Sequence, residues 1–157
     1  MTTKTVHHFS FDDPQGLLEL VKERIAAESG WINVVPDIHK DVPIPATPTA
    51  LAVFSKRGPV VPLGTWVVAK LSGRTRLPNQ LGIQHGIGSA AKKRLSESVG
   101  LDPTWRVTQD HPRRGLVVEL PPDQTLDKAA EWLLASLDEL CIPPHTGKVN
   151  VVVYRSD

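Results

Sequence analysis

Cysteine occurs once in the 157 residues, at Cys141, so no disulfide can form within the chain. A lone thiol fits a reducing compartment better than a secreted one, where small domains lean on paired cysteines. Aromatic residues make up only 5% of the sequence, a thin supply for a channel that stacks successive bases. No apolar run approaches the roughly 18 residues of a membrane-spanning helix. Met1-Thr-Thr-Lys-Thr5 likewise lacks the apolar centre of a signal peptide. These absences set the expectation of a cytoplasmic protein with no membrane partner. The compact signatures of chemistry are missing too: there is no His-Glu-x-x-His, no Gly-x-Ser-x-Gly and no P-loop. No cofactor is implied, and no metal set, because the six histidines are scattered.

What is present is ordinary in bulk and uneven in arrangement. Hydrophobic content is 40% and charged content 22%, as in a globular protein. The length suits one domain, 1–157, able to bury about 68–70% of its unfolded surface. The net charge of +1 hides a basic middle. Residues 70–115 carry nine Lys/Arg against three acids, whereas 1–69 carry six against seven and 116–157 three against seven. Such a distribution predicts a dipolar surface with one positive region, unless acidic helices neutralise the basic segment across the fold.

Periodicity supplies the elements. Val6–Phe11 alternates as a strand, Asp13-Pro14 marks a helix start, and Leu17, Leu18, Val21 and Ile25 form one stripe. Gly30 would stop that helix before a strand over Trp31–Val35. Six prolines between 36 and 62 predict a long extended connection, interrupted at Ala50–Phe54 by a short strand or packed turn. Thr65–Leu71 reads as a strand, and a helix is expected near 87–99. Trp105–Gln109 and Gly115–Leu120 would form a hairpin. Thr125–Cys141 is the clearest helix, and Val149–Tyr154 a final strand. The predicted fold is α+β or α/β: a single two-layer sandwich with a mixed sheet of about five to six strands and helices packed on it. Right-handed crossovers would make 6–11 and 31–35 parallel, and likewise the last two strands.

The segment Gly82 to Arg94 concentrates the candidate chemistry. Gly82, Gly86 and Gly88 precede Ser89-Ala-Ala-Lys-Lys-Arg94, which reads as the opening turn of a helix. Glycines permit close backbone approach, and a helix start offers free N–H groups to an anion. Lys92, Lys93 and Arg94 would raise the local potential. Arg113 and Arg114, at the tip Asp110-His-Pro-Arg-Arg114, would close over the ligand with forked donors. His85 is the weak candidate for any acid–base role. The expected function is therefore binding of an anionic, phosphate-bearing small molecule. The first alternative is a non-catalytic protein-interaction or homo-oligomeric module, with a homodimer through 149–154. The second is a weak nucleic-acid binder using Trp105 beside Arg106 as a stacking surface, with Trp31, Trp66 and Trp132 in the core. Cys141, at a helix end where the dipole disfavours a thiolate, reads as core packing.

Overall fold

The computed structural model describes residues 2–44 and 58–156. In chain order the elements are β1 (Thr2–Ser10), α1 (Pro14–Ala27), β2 (Trp31–Ile38), β3 (Leu63–Val67), β4 (Lys70–Ser72), β5 (Thr75–Leu77) and β6 (Gln80–Gln84). There follow α2 (Lys92–Ser98), β7 (Arg106–His111), β8 (Gly115–Glu119), α3 (Leu126–Leu140) and β9 (His145–Ser156). The expected strand or turn at Ala50–Phe54 lies outside the described residues.

Seven strands form one sheet in the order β1-β9-β2-β3-β6-β8-β7, and every neighbouring pair is antiparallel. This overturns the predicted two-layer α/β sandwich with a mixed sheet of five to six strands. The expected parallel pairs do not form: β1 and β2 run the same way, and so do β8 and β9, but neither pair is adjacent. β9 fills the gap between β1 and β2, while β6, β3 and β2 separate β8 from β9. Hairpins or short connections join most of the remaining strands, so no parallel pair is hydrogen-bonded and the protein is richer in strand than the pattern suggests.

Local chemistry explains the element ends. The Asp13 carboxylate accepts from Gly16 N at 3.2 Å, with Pro14 at the first helical position, which satisfies one of the orphan donors of α1. That helix stops at Glu28, in the left-handed region at φ 50°, two residues before the expected Gly30. β2 runs through Pro36 to Ile38, beyond its expected end at Val35. Its pairing with β3 ends at Val34, and the ladder with β9 shifts register between Pro36 and Ile38. A residue without an N–H is tolerated at such a place.

The three described helices lie on one face of the sheet. α3 crosses it over β2 and β3, where Gly64 leaves room for Leu133 and Leu137, and α1 packs beside it against β9. Leu17, Val21, Leu133 and Leu137 meet Ile32, Val34, Trp66, Ile83, Val151 and Val153 in one fully buried core. α2 closes the far end through Ala91 and Leu95. Strand alternation then leaves the opposite face of the sheet without a helix among the described residues. No described helix is long and apolar enough to cross a membrane.

Candidate functional site

The glycine segment does not form the predicted loop. Gly82 sits in the middle of β6, paired with Thr65 on one side and Val117 on the other. Its Cα faces open space, since an added Cβ would find its nearest atoms at 3.9 Å. The helix begins at Lys92, not Ser89, and spans only seven residues. Ala91, Leu95, Ile87 and Val99 do form the apolar stripe read from the sequence, with the first two fully buried. Ser89, Lys92 and Lys93 are exposed.

The two basic loops do meet, and the contact is made by an acid. Asp110 Oδ1, from the end of β7, accepts from Ala91 N at 3.0 Å and Lys92 N at 3.2 Å. A carboxylate of the protein thus takes the helix-start amides that were expected to hold an external anion. It satisfies the donors and complements the local dipole, as a capping carboxylate does. Arg94 turns away to α3, donating to Glu139 Oε1 at 3.0 Å and the Glu139 carbonyl at 3.1 Å. Arg76–Glu28 at 3.5 Å and Arg106–Glu119 at 3.7 Å pair further middle-third cations with flanking-third acids. Neutralisation across the fold therefore removes part of the expected positive region. At the hairpin tip, His111 Nδ1 accepts from the N–H groups of Arg113 and Arg114 at 3.0 and 3.1 Å, while both arginines remain exposed.

His85 follows β6 and is fully buried. Among the described residues neither ring nitrogen has a hydrogen-bond partner. Burial pushes its pKa below the ordinary value, Asp110 partly opposes this, and Arg94 adds to it. A neutral imidazole with no bonded acid, base or nucleophile and no access to solvent is poorly placed for proton transfer. Its backbone is clamped instead. A Cβ on Gly58 would collide with the His85 carbonyl oxygen, and one on Gly86 would lie 2.8 Å from the Pro59 carbonyl and 2.9 Å from that of Gly58. These two glycines let residues 58–60 cross the end of β6 in backbone contact. Gly86 thus has a packing role, and Gly88, at φ 83°, makes the bend that follows.

The tryptophans change places relative to the sequence reading. Trp105, expected as a stacking surface, is 5% exposed and meets Trp132 edge-on at 5.2 Å. Their indole N–H groups donate to Gln124 at 2.9 Å and to the Gly100 carbonyl at 2.8 Å. They floor a groove of about 440 Å³ between the end of α2 and α3. At its rim Lys128 bonds Asp102 at 2.7 Å, and this bond, with those from Thr104, holds the Asp102 carboxyl down at about 2. Trp31, expected in the core, stands on the helix-free face and stacks on Tyr154 at 4.7 Å. Cys141 is half-buried, and desolvation followed by Asp138 raises its thiol pKa, in keeping with a packing role.

Comparison of the chain with family models, with curated proteins and with solved structures finds no match. Among the described residues no group of three or more His, Cys, Asp or Glu could hold a metal ion. His8 bonds Asn150 at 2.6 Å, and His145 bonds Asp138 at 2.6 Å.

The feature missed in the sequence is the helix-free face itself. Register places Lys4, Tyr154, Trp31, Val67, Gln80, Glu119 and Arg106 in one row across it. The next row runs Val6, Val152, Asn33, Thr65, Gly82 and Val117. Its polar groups are largely paired in plane: Gln80 donates to Glu119 at 3.2 Å, Thr65 to Asn33 at 3.1 Å, and Asn150 to Asp37 at 3.3 Å. The signal was legible in part, since Trp31, Val35, Val152 and Tyr154 are apolar at alternate positions that a solvated face would make polar.

Proposed function

We propose that this protein is a non-catalytic interaction module that associates with a second copy of itself through the helix-free face of the sheet. The observation that carries the reading is the apolar content of that face, where Trp31, Tyr154, Val67, Val6, Val152 and Val117 stand half-buried or exposed. Paired polar groups lower the desolvation cost of covering the remainder, because few donors would be stranded. The dimensions suit a dimer. Seven strands about 4.8 Å apart and five to twelve residues long present roughly 700 Å² of flat area, near the ~800 Å² per partner of a stable interface. Sheets pack face to face at about 10 Å with interdigitating side chains, and the bare Cα of Gly82 offers a recess for one.

Sedimentation equilibrium tests this with wild type and a Val6→Lys/Val152→Glu variant. Wild type is expected at twice the protomer mass at micromolar concentration, and the variant at one protomer mass with an unchanged circular-dichroism spectrum. A monomeric wild type at high micromolar concentration refutes the proposal.

A second reading keeps the anionic, phosphate-bearing ligand, favoured by the meeting of the start of α2 with the arginine hairpin. The side chains of Ser89, Lys92, Lys93, Arg113 and Arg114 would hold it, rather than the amides that Asp110 occupies. A melting-temperature rise with phosphate or nucleotides that Lys92→Ala/Lys93→Ala abolishes is the expected result; no rise in wild type rejects it.

A further inference from the structure

β3 and β6 are the two arms of one hairpin, and β4 and β5 are its continuation beyond the edge of the main sheet. The interruption between the two parts is built around Asn79. Its Oδ1 accepts from the buried Trp66 indole at 3.1 Å and from Ala69 N at 3.0 Å, and its carbonyl accepts from Leu120 N at 2.9 Å. Past this base every residue from Lys70 to Leu77 is exposed. Ser72 pairs with Thr75 across a two-residue turn whose first position, Gly73, has φ 61°, the requirement of a type II′ hairpin.

The ribbon carries Lys70, Arg74 and Arg76 and no acid, with Ser72 and Thr75 hydroxyls beside the tip. Arg76 makes one exposed bridge, to Glu28 at 3.5 Å, of the kind that exchanges readily with solvent ions. Leu71 and Leu77 are 57% and 38% exposed. Cross-strand pairing puts Leu71 with Arg76 on one face and Leu77 with Lys70 on the other. A membrane-inserting ribbon would gather its leucines on one face, whereas here each face mixes a leucine with a cation.

We propose that the Lys70–Leu77 ribbon is a DNA-binding arm that enters the major groove of duplex DNA and is held by its phosphates. A two-stranded ribbon fits a groove about 12 Å wide and 8.5 Å deep, and three residues per strand extend about 10 Å. The deep, narrow major groove of duplex RNA excludes side chains, so the arm discriminates DNA from RNA by shape. Arg74, at the tip, and Lys70 and Arg76, on opposite faces, can reach phosphates of both strands. The proposal is independent of self-association through the sheet face.

Fluorescence anisotropy with a labelled DNA duplex tests it. Three phosphate contacts predict a log–log salt slope of about −2.7, or roughly a 40-fold loss of affinity between 50 and 200 mM salt. Lys70→Ala/Arg74→Ala/Arg76→Ala should abolish this binding without lowering the melting temperature, since all three side chains are exposed. Arg74→Ala alone should reduce the slope by about 0.9. Lys22→Ala/Lys40→Ala, at exposed lysines outside the ribbon, should leave it unchanged. Absence of binding at 50 mM salt overturns the proposal. So does binding that survives the triple substitution or that is lost in the Lys22/Lys40 variant. Equal affinity for duplex RNA, or preference for phosphatidylserine vesicles over DNA, overturns it as well.

Discussion

His85 makes stability depend on pH in a way that isolates one residue. Its folded-state pKa is depressed by burial, whereas in the unfolded chain it titrates near about 6.5. Above that value both states hold a neutral ring and pH has no effect through this residue. As pH falls through about 6.5 the unfolded state takes up a proton that the folded state refuses, so stability declines until the folded ring also protonates. One proton corresponds to at most about 1.4 kcal/mol per pH unit, and the loss by pH 5.5 is bounded at about 1.4 kcal/mol. Urea unfolding between pH 8 and pH 5 of wild type and His85→Leu measures the difference, and other titrating groups cancel in the comparison. The variant should show the shallower decline. Its stability at pH 8 should match or exceed that of wild type by about 1 kcal/mol, because two buried nitrogens without partners among the described residues each cost on the order of 1–3 kcal/mol. Parallel pH profiles for the two proteins, or a loss above about 2 kcal/mol at pH 8, would show that the ring is satisfied and refute the reasoning.

Three further outcomes follow from the same region. Gly86→Ala should destabilise by about 1–3 kcal/mol, read as a lower urea midpoint, because its Cβ would lie 2.8 Å from a backbone carbonyl that cannot swing away. Gly82→Ala should be neutral or stabilising by about 0.5–1 kcal/mol, since the strand there has room; a marked loss would restore a special backbone role to this glycine. Asp110→Ala should cost about 1–2 kcal/mol by uncapping α2, with Asp110→Asn retaining most of the stability, and thermal melts of both variants check the difference.

Elements with a strong local signature were legible from the sequence. α1 announced itself by Asp13-Pro14 and a leucine stripe, α3 by apolar spacing from Leu126 to Leu137, and the β7–β8 hairpin by a turn between two alternating runs. β4, β5 and β6 were not, because Gly73, Pro78 and Gly82 interrupt strands of only three to five residues. Their pairing is decided by partners distant in sequence, such as Val117 and Val118 opposite Gly82 and Leu81. The glycine cluster misled for a related reason. Composition suggested one loop, whereas Gly82 belongs to a ladder, Gly86 to a backbone crossing and Gly88 to a bend. The carboxylate of Asp110 on the helix start could not be foreseen, since its partners lie 18 and 19 residues away.

The central position of β9 has a consequence for how the chain acquires its structure. β1 and β2 lie on either side of it and touch each other nowhere in the ladder. Until His145–Ser156 is made, the first two strands have no bonded neighbour in common. At about 5–20 residues per second, a ribosome needs roughly 5–20 seconds to travel from β2 to β9. During that interval the edge of β2 that β9 will occupy stays unpaired, and β1 has no strand of the sheet to pair with. The nascent chain must keep that edge from pairing within itself or with a neighbour's strand, which makes β9 the step that commits the molecule to its native topology.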